Sequence, residues 1–247
     1  MDNLVQTFRG FSGNQIYLMD DGSKLFVRKV GTIGRNVERM LALVNNYPVP
    51  KIYRYSDITL DMEYIHGLDI KTYLKSHQPN RLLQFLFGVL DKLSANAVDK
   101  DYTEIYKAKL QEIDFSLLPF TAQELLDKLP KHLPQSEYIG DLTLENIIYT
   151  EDGFYLIDCA TIDYDSYIFD IAKLRQDLNL QWFTRNSDVV LDVKTNYISQ
   201  QLKQRYPQAL VDNDYLLILM LLRVYRHAPR GTYEHVFLLE GIRRLWK

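Results

Sequence analysis

Three oxygen-bearing side chains, Asp141, Asn146 and Asp158, are spaced so that one local fold could gather them. Asn146 closes Ile139-Gly140-Asp141-Leu142-Thr143-Leu144-Glu145-Asn146, five positions after Asp141, and Asp158 ends Leu156-Ile157-Asp158, twelve positions later. Between them, Ile147-Ile148-Tyr149 and Phe154-Tyr155-Leu156-Ile157 flank Glu151-Asp152-Gly153, a hairpin pattern carried by a D-G turn. Such a hairpin returns Asp158 to the loop it left. One carboxylate to orient and deprotonate a hydroxyl, plus an amide and a second carboxylate to hold hard divalent cations against phosphates, is the set that phosphoryl transfer needs. Taken alone, the D-x4-N spacing describes an Asx-rich turn pair capping local backbone equally well, so order and context must decide. From Glu151 to Asp170 there are six acids (Glu151, Asp152, Asp158, Asp163, Asp165, Asp170) and no Lys or Arg. A cleft edged by that stretch would be strongly negative without cations, and a divalent metal is therefore an expected requirement. Glu145, Asp163 and Asp165 read individually as ordinary surface charges.

The elements that must position these residues fall into two textures. The first third reads as strands: residues 16–19 and 25–30 around the Asp20-Asp21-Gly22-Ser23 turn, then 52–55 and 59–65. One helix interrupts them, with Asn36 as its expected N-cap and Val37, Met40, Leu41 and Val44 at helical spacing. From Leu68 onward helices dominate, over residues 70–76, 81–98, 189–204, 214–228 and 233–246, apart from the hairpin already described. The sequence thus predicts an α+β chain with a small β-rich lobe over residues 1–66 and a larger helical lobe over residues 67–247. No internal repeat or low-complexity linker separates them.

Composition bounds the class. The 247 residues carry 47% hydrophobic and 25% charged side chains, a formal net charge of −3 and a single cysteine. Those values exclude disorder, collagen and disulfide scaffolds, and near-neutral charge argues against duplex nucleic acid as a partner. MDNLVQTF has neither a basic nor an apolar leader region, so a cytoplasmic location is expected. The longest aliphatic run, residues 216–222, is far shorter than the roughly 20 residues that cross a bilayer and reads as a core helix.

With the order of these motifs in view, the chain resembles the aminoglycoside phosphotransferase/choline kinase family, the small-molecule branch of the protein-kinase-like fold, over nearly its whole length. The resemblance implies a bilobal kinase-like architecture and an ATP- and Mg2+-dependent transfer of phosphate to an alcohol group. In that family the loop reads H-G-D-x-x-x-x-N and the hairpin ends in I-D. Asp141 accordingly takes the place of the catalytic base, and Asn146 and Asp158 take the metal-ligand places. Ile139 stands where His is usual, which bears on loop geometry and leaves the chemistry available. Lys29 matches the strand lysine that neutralises nucleotide phosphates, and Glu38 its ion-pair partner. Arg28 competes for the lysine's role, but alternation puts Lys29 on one face with Val27, which suits the apolar roof over an adenine. Met62-Glu63-Tyr64-Ile65 resembles the hinge in which backbone groups of Glu63 and Ile65 read the adenine edge. Gly10-Phe11-Ser12-Gly13-Asn14 sits where the phosphate-covering turn belongs, with Ser12, Gly13 and Asn14 approaching the oxygens. Asp170, in Asp170-Ile171-Ala172, matches an aspartate that braces the catalytic loop.

The acceptor is expected against the helical lobe. Arg223, Arg226, Arg230, Arg243, Arg244 and Lys247 outnumber Glu234 and Glu240 in the last segment, which suits a neutral or anionic sugar better than a polycation. The run Tyr155 to Asp158, with the segment from Asp170 to Leu178 and Trp182, is similar to a subgroup associated with bacterial surface-glycan synthesis. A sugar or glycan precursor is therefore the favoured acceptor. An amino alcohol or aminoglycoside is the second reading, and a catalytically silent nucleotide-binding protein the third. Aromatic residues make up 13% of the chain. Tyr164, Tyr167, Trp182 and Phe183 follow the active-site segment, where rings could stack on an acceptor. The oligomeric state is left open.

Overall fold

The computed structural model describes residues 2–8 and 13–247. In chain order the strands are β1 (Asn3–Phe8), β2 (Gln15–Asp20), β3 (Leu25–Val30), β4 (Ile52–Tyr55), β5 (Thr59–Glu63), β6 (Leu68–Asp69), β7 (Val98–Asp101), β8 (His132–Gln135), β9 (Ile147–Thr150) and β10 (Gly153–Leu156). The helices are α1 (Gly34–Leu43), α2 (Ile70–Ser76), α3 (Asn80–Ser94), α4 (Thr103–Leu110), α5 (Ala122–Lys128), α6 (Tyr167–Leu180), α7 (Asp192–Arg205), α8 (Gln208–Val211), α9 (Asp214–Tyr225) and α10 (Tyr233–Leu245).

They fall into two compact units, Met1–Tyr73 with Ile139–Ile162, and Leu74–Tyr138 with Asp163–Lys247. The segment carrying Asp141, Asn146 and Asp158 groups with the amino-terminal strands, because backbone bonds tie it there: Leu156 N–H to Pro48 O at 2.8 Å and Thr161 N–H to Arg35 O at 2.9 Å.

In the first unit, five antiparallel strands lie in the order β1-β2-β3-β5-β4. Register pairs Val27 with Met62 and Lys29 with Leu60, while Arg28 opposes Asp61. Strand alternation therefore puts an apolar face bearing one lysine on one side and a charged cluster on the other. Helix α1 buries Val37, Met40 and Leu43. Its N-cap is Ile33, which offers no side-chain cap, so Asn36 lies inside the first turn rather than at the cap. A second sheet, β10-β9-β6, contains the expected hairpin, with Gly153 paired to Thr150 across the turn and at φ 142°. Edge strand β1 has almost no buried side chains to signal it in sequence.

The second unit is helical apart from β7 and β8, which pair antiparallel. Helix α3 ends at Ser94, short of the expected 98, because Val98 opens β7. Helix α6 is buried on nearly all sides and packs against α7 and α9. It buries even Arg175, whose guanidinium donates to Asn213 O and Asp214 Oδ1, both at 2.7 Å. Helix α9 buries every residue from Leu216 to Leu222, as a core helix should. No helix among the described residues is long and apolar enough to cross a membrane.

Candidate active site

Two backbone bonds lace the Asp141 loop to the end of the hairpin. Ile157 N–H donates to Asn146 O at 2.9 Å, and Ala160 N–H donates to Ile139 O at 3.2 Å. Gly140 sits at φ 92°, and a Cβ there would stand 2.0 Å from Ala160 O, so this close approach of two backbones excludes any side chain. Ile139, standing at the position where the resemblance leads one to expect His, is 1% exposed. A short 3-10 turn, Leu144–Asn146, then swings Asn146 back. Its Nδ2 donates to Asp141 O at 2.9 Å and to Asp141 Oδ2 at 3.0 Å, which fixes the half-buried carboxylate.

Just past the hairpin, Asp158 Oδ1 receives Lys29 Nζ at 2.9 Å and Asn36 Nδ2 at 2.9 Å. Lys29 is 5% exposed, so its charge needs this partner. The expected Lys29–Glu38 pair does not form. Glu38 is exposed on α1 and makes no ion pair among the described residues. The helical turn explains this: Val37, Met40 and Leu43 define the buried stripe, and Glu38 lies off it. Asn36, read from sequence as a cap, reaches Asp158 from inside the first turn of α1.

The residues expected around a nucleotide are distributed over the same unit. Val27 and Met62, 9% and 3% exposed, are register partners on the Lys29 face. Glu63 ends β5 and is tied to the residue before β4, with its N–H donating to Lys51 O at 2.8 Å and its Oε2 accepting from Lys51 N–H at 3.2 Å. Ile65 follows, half-buried, outside any strand. Gly13 adopts φ 78°, and Asn14 Oδ1 packs so closely on Gly31 that a Cβ there would lie 2.3 Å away. Ser12, with Gly10 and Phe11, lies outside the described residues.

On the opposite face of β3, Arg28 grips Asp61 through Nε at 2.7 Å and Nη2 at 2.8 Å, and reaches Asp2 at 2.7 Å. Arg54 bonds the same two acids. Burial alone would raise the Asp61 carboxyl, but the Arg28 and Arg54 hydrogen bonds outweigh it and hold it below its ordinary value. Arg28 is thereby committed to structure, as the alternation implied.

Oxygen donors suited to Mg2+ are present. Asn146 makes both its contacts through Nδ2, which leaves Oδ1 uncommitted, and both contacts to Asp158 fall on Oδ1, which leaves Oδ2. Among the described residues no three His, Cys, Asp or Glu side chains gather into a cage of their own.

The second unit changes the acceptor-side expectations. Tyr164, Tyr167, Trp182 and Phe183 are core residues, none more than 6% exposed. Tyr164 packs 4.7 Å from Phe169, Tyr167 5.9 Å from Tyr206 and Trp182 5.5 Å from Phe237. Asp163 and Asp165 are paired with Lys109 and Lys100, at 2.7 and 2.8 Å. Arg226 and Arg230 pair with Glu112 and Asp114, so part of the basic surplus of the last segment is neutralised from elsewhere in the unit. Asp170 lies 2% exposed in the first turn of α6.

No protein-family profile matches the chain, and no curated protein matches it. Solved structures do. A protein described as a fructosamine-3-kinase from Haemophilus somnus 129PT superposes with a TM-score of 0.66 at 14% identity, covering 98% of this chain and 90% of that one. A thermostable aminoglycoside phosphotransferase APH(4)-Ia gives 0.63 at 11% identity, covering 98% and 93%. LicA in complex with AMP gives 0.55 at 15% identity, covering 99% and 93%. A further APH(4)-Ia structure, at 0.62 and 12% identity over 98% and 92%, holds ADP and hygromycin B. The chain therefore has the α+β, protein-kinase-like fold of these small-molecule kinases, with a sheet-rich amino-terminal part and a helical carboxy-terminal part.

Proposed function

We propose that this chain is an ATP- and Mg2+-dependent phosphotransferase that phosphorylates a hydroxyl of a small molecule, with a sugar or glycan precursor as acceptor. The observation that carries this reading is the double pairing of Lys29 with Asp158 at 2.9 Å and Asn146 with Asp141 at 3.0 Å, on a fold shared with small-molecule kinases. The acceptor oxygen would attack the γ-phosphorus as the bond to the ADP oxygen breaks, and Asp141 would accept the proton that the acceptor loses. Asn146 orients that carboxylate through its Nδ2. Lys29 carries three donors and gives one to Asp158, so it can grip phosphate oxygens without leaving its partner. Val27 and Met62 would cover the adenine, the backbone of Glu63 and Ile65 would read its edge, and the turn at Gly13 and Asn14 would lie over the phosphates. Asn146 Oδ1 and Asp158 Oδ2 would hold Mg2+, which when bound neutralises phosphate charge. A cytoplasmic location, where ATP is supplied, goes with this reading.

A second reading takes an aminoglycoside or amino alcohol as acceptor. It is favoured by the pairing of Arg226 and Arg230, which weakens the charge argument against a cation, and by the hygromycin B bound to one structural neighbour. ADP release over a panel of sugars, choline, kanamycin and hygromycin B separates the two. Mg2+-dependent release with a sugar supports the first, release only with the amines moves the assignment to the second, and absence of any Mg2+-dependent ATP binding removes both.

A further inference from the structure

Asn36 has no part in the chemistry just described, yet both hydrogens of its carboxamide are used at the metal side of the site. Nδ2 donates to Asp158 Oδ1 at 2.9 Å and to Cys159 O at 2.8 Å. One side chain thus fixes both the carboxylate and the backbone that follows it. The neighbouring residue adds a brace, since Arg35 O accepts from Thr161 N–H at 2.9 Å. Helix α1 is in this way bonded at three points to residues 158–161. Lys29 donates to the same Oδ1. With two donors on Oδ1, the carboxylate has one orientation in which Oδ2 remains for a cation. A carboxylate at position 36 could not do this, because it would set an acceptor against two acceptors. Glu38, the acid of α1 expected to reach Lys29, points to solvent.

We infer that Asn36 is a positioning residue: its amide, delivered by α1, sets the rotamer of Asp158 for the divalent cation. The inference rests on the phosphotransferase reading. It couples the placement of α1 to metal-dependent nucleotide binding and leaves the metal-independent part of that binding alone.

The test is calorimetric titration of the full chain with ATP, once in Mg2+ and once in EDTA, with the ratio of the two dissociation constants as readout. Asn36→Ala and Asn36→Leu are expected to reduce the Mg2+ advantage about tenfold or more while the EDTA value stays within about twofold, with partial recovery in Asn36→Gln. Glu38→Gln is expected to leave the ratio unchanged. A purely structural role would lower the melting temperature without moving the ratio, and an unmoved ratio in folded Asn36 variants overturns the inference. A tenfold loss in Glu38→Gln also overturns it, and that variant decides the matter if the Asn36 variants do not fold. Wild-type protein with no Mg2+ advantage would instead fail the phosphotransferase reading itself, and the inference with it.

Discussion

Arg28 and Lys29 are adjacent cations on one strand, and the two faces of the sheet put them to different uses. Arg28 meets two acids that a second arginine shares, a network in which Asp61 is 4% exposed and every charge has a partner. Lys29 meets one carboxylate, Asp158, which is 34% exposed and keeps an oxygen free. A closed network with matched charges supplies rigidity. An open one, with a buried cation and a half-exposed acid, has capacity left for a third charged partner, and the polyanionic end of a nucleotide is such a partner.

The sharpest way to separate the faces is to remove chemistry without touching either pair. Asp141→Asn is expected to lower kcat about a thousandfold while Mg2+–ATP affinity, read by titration, stays within about threefold. Next comes Lys29→Met, for which a loss of about a hundredfold in kcat/KM is expected with little change in melting temperature. Arg28→Met should do the reverse, destabilising by about 1–2 kcal/mol in urea melts with kcat/KM within about twofold. If Arg28→Met lost activity and Lys29→Met lost stability, the contrast would be inverted and the nucleotide assignment would fall. The smallest effect is acid dependence. Because Asp61 is held below its ordinary 3.8, its pairing contributes stability above that pH and loses it as pH falls through the depressed folded value. Wild-type stability should therefore decline with a steeper slope below about pH 4 than that of Asp61→Asn, the two curves running parallel above it.

What sequence could and could not say follows the range of each interaction. The hairpins β2–β3 and β9–β10 are local and announced themselves by turn residues at Asp21-Gly22 and Asp152-Gly153. Alternation alone sorted Lys29 from Arg28, since period two is a property of the strand. Strands β7 and β8 escaped notice because one reads Val-Asp-Lys-Asp, the other contains Pro134, and their pairing spans more than thirty positions. Asn36 was legible only as a cap, since its partner lies 122 positions away and asparagine before an apolar stripe ordinarily caps. Glu38 was carried over from a family pattern, and the phase of α1 decided otherwise. Tyr164 and Trp182 followed the active-site segment in sequence, but adjacency in the chain did not keep them out of the core.

Gly140 has a consequence for how chains of this fold can diverge. Its left-handed backbone and the 2.0 Å approach of Ala160 O to an added Cβ would make even alanine unacceptable there, whereas Gly22, also at positive φ, has open space around it. Sameness at position 140 across distant descendants would then be a record of two backbones touching, whatever reaction each performs. Drift in substrate would leave it untouched, and a lineage that had lost catalysis altogether would still carry the glycine for as long as it kept the loop.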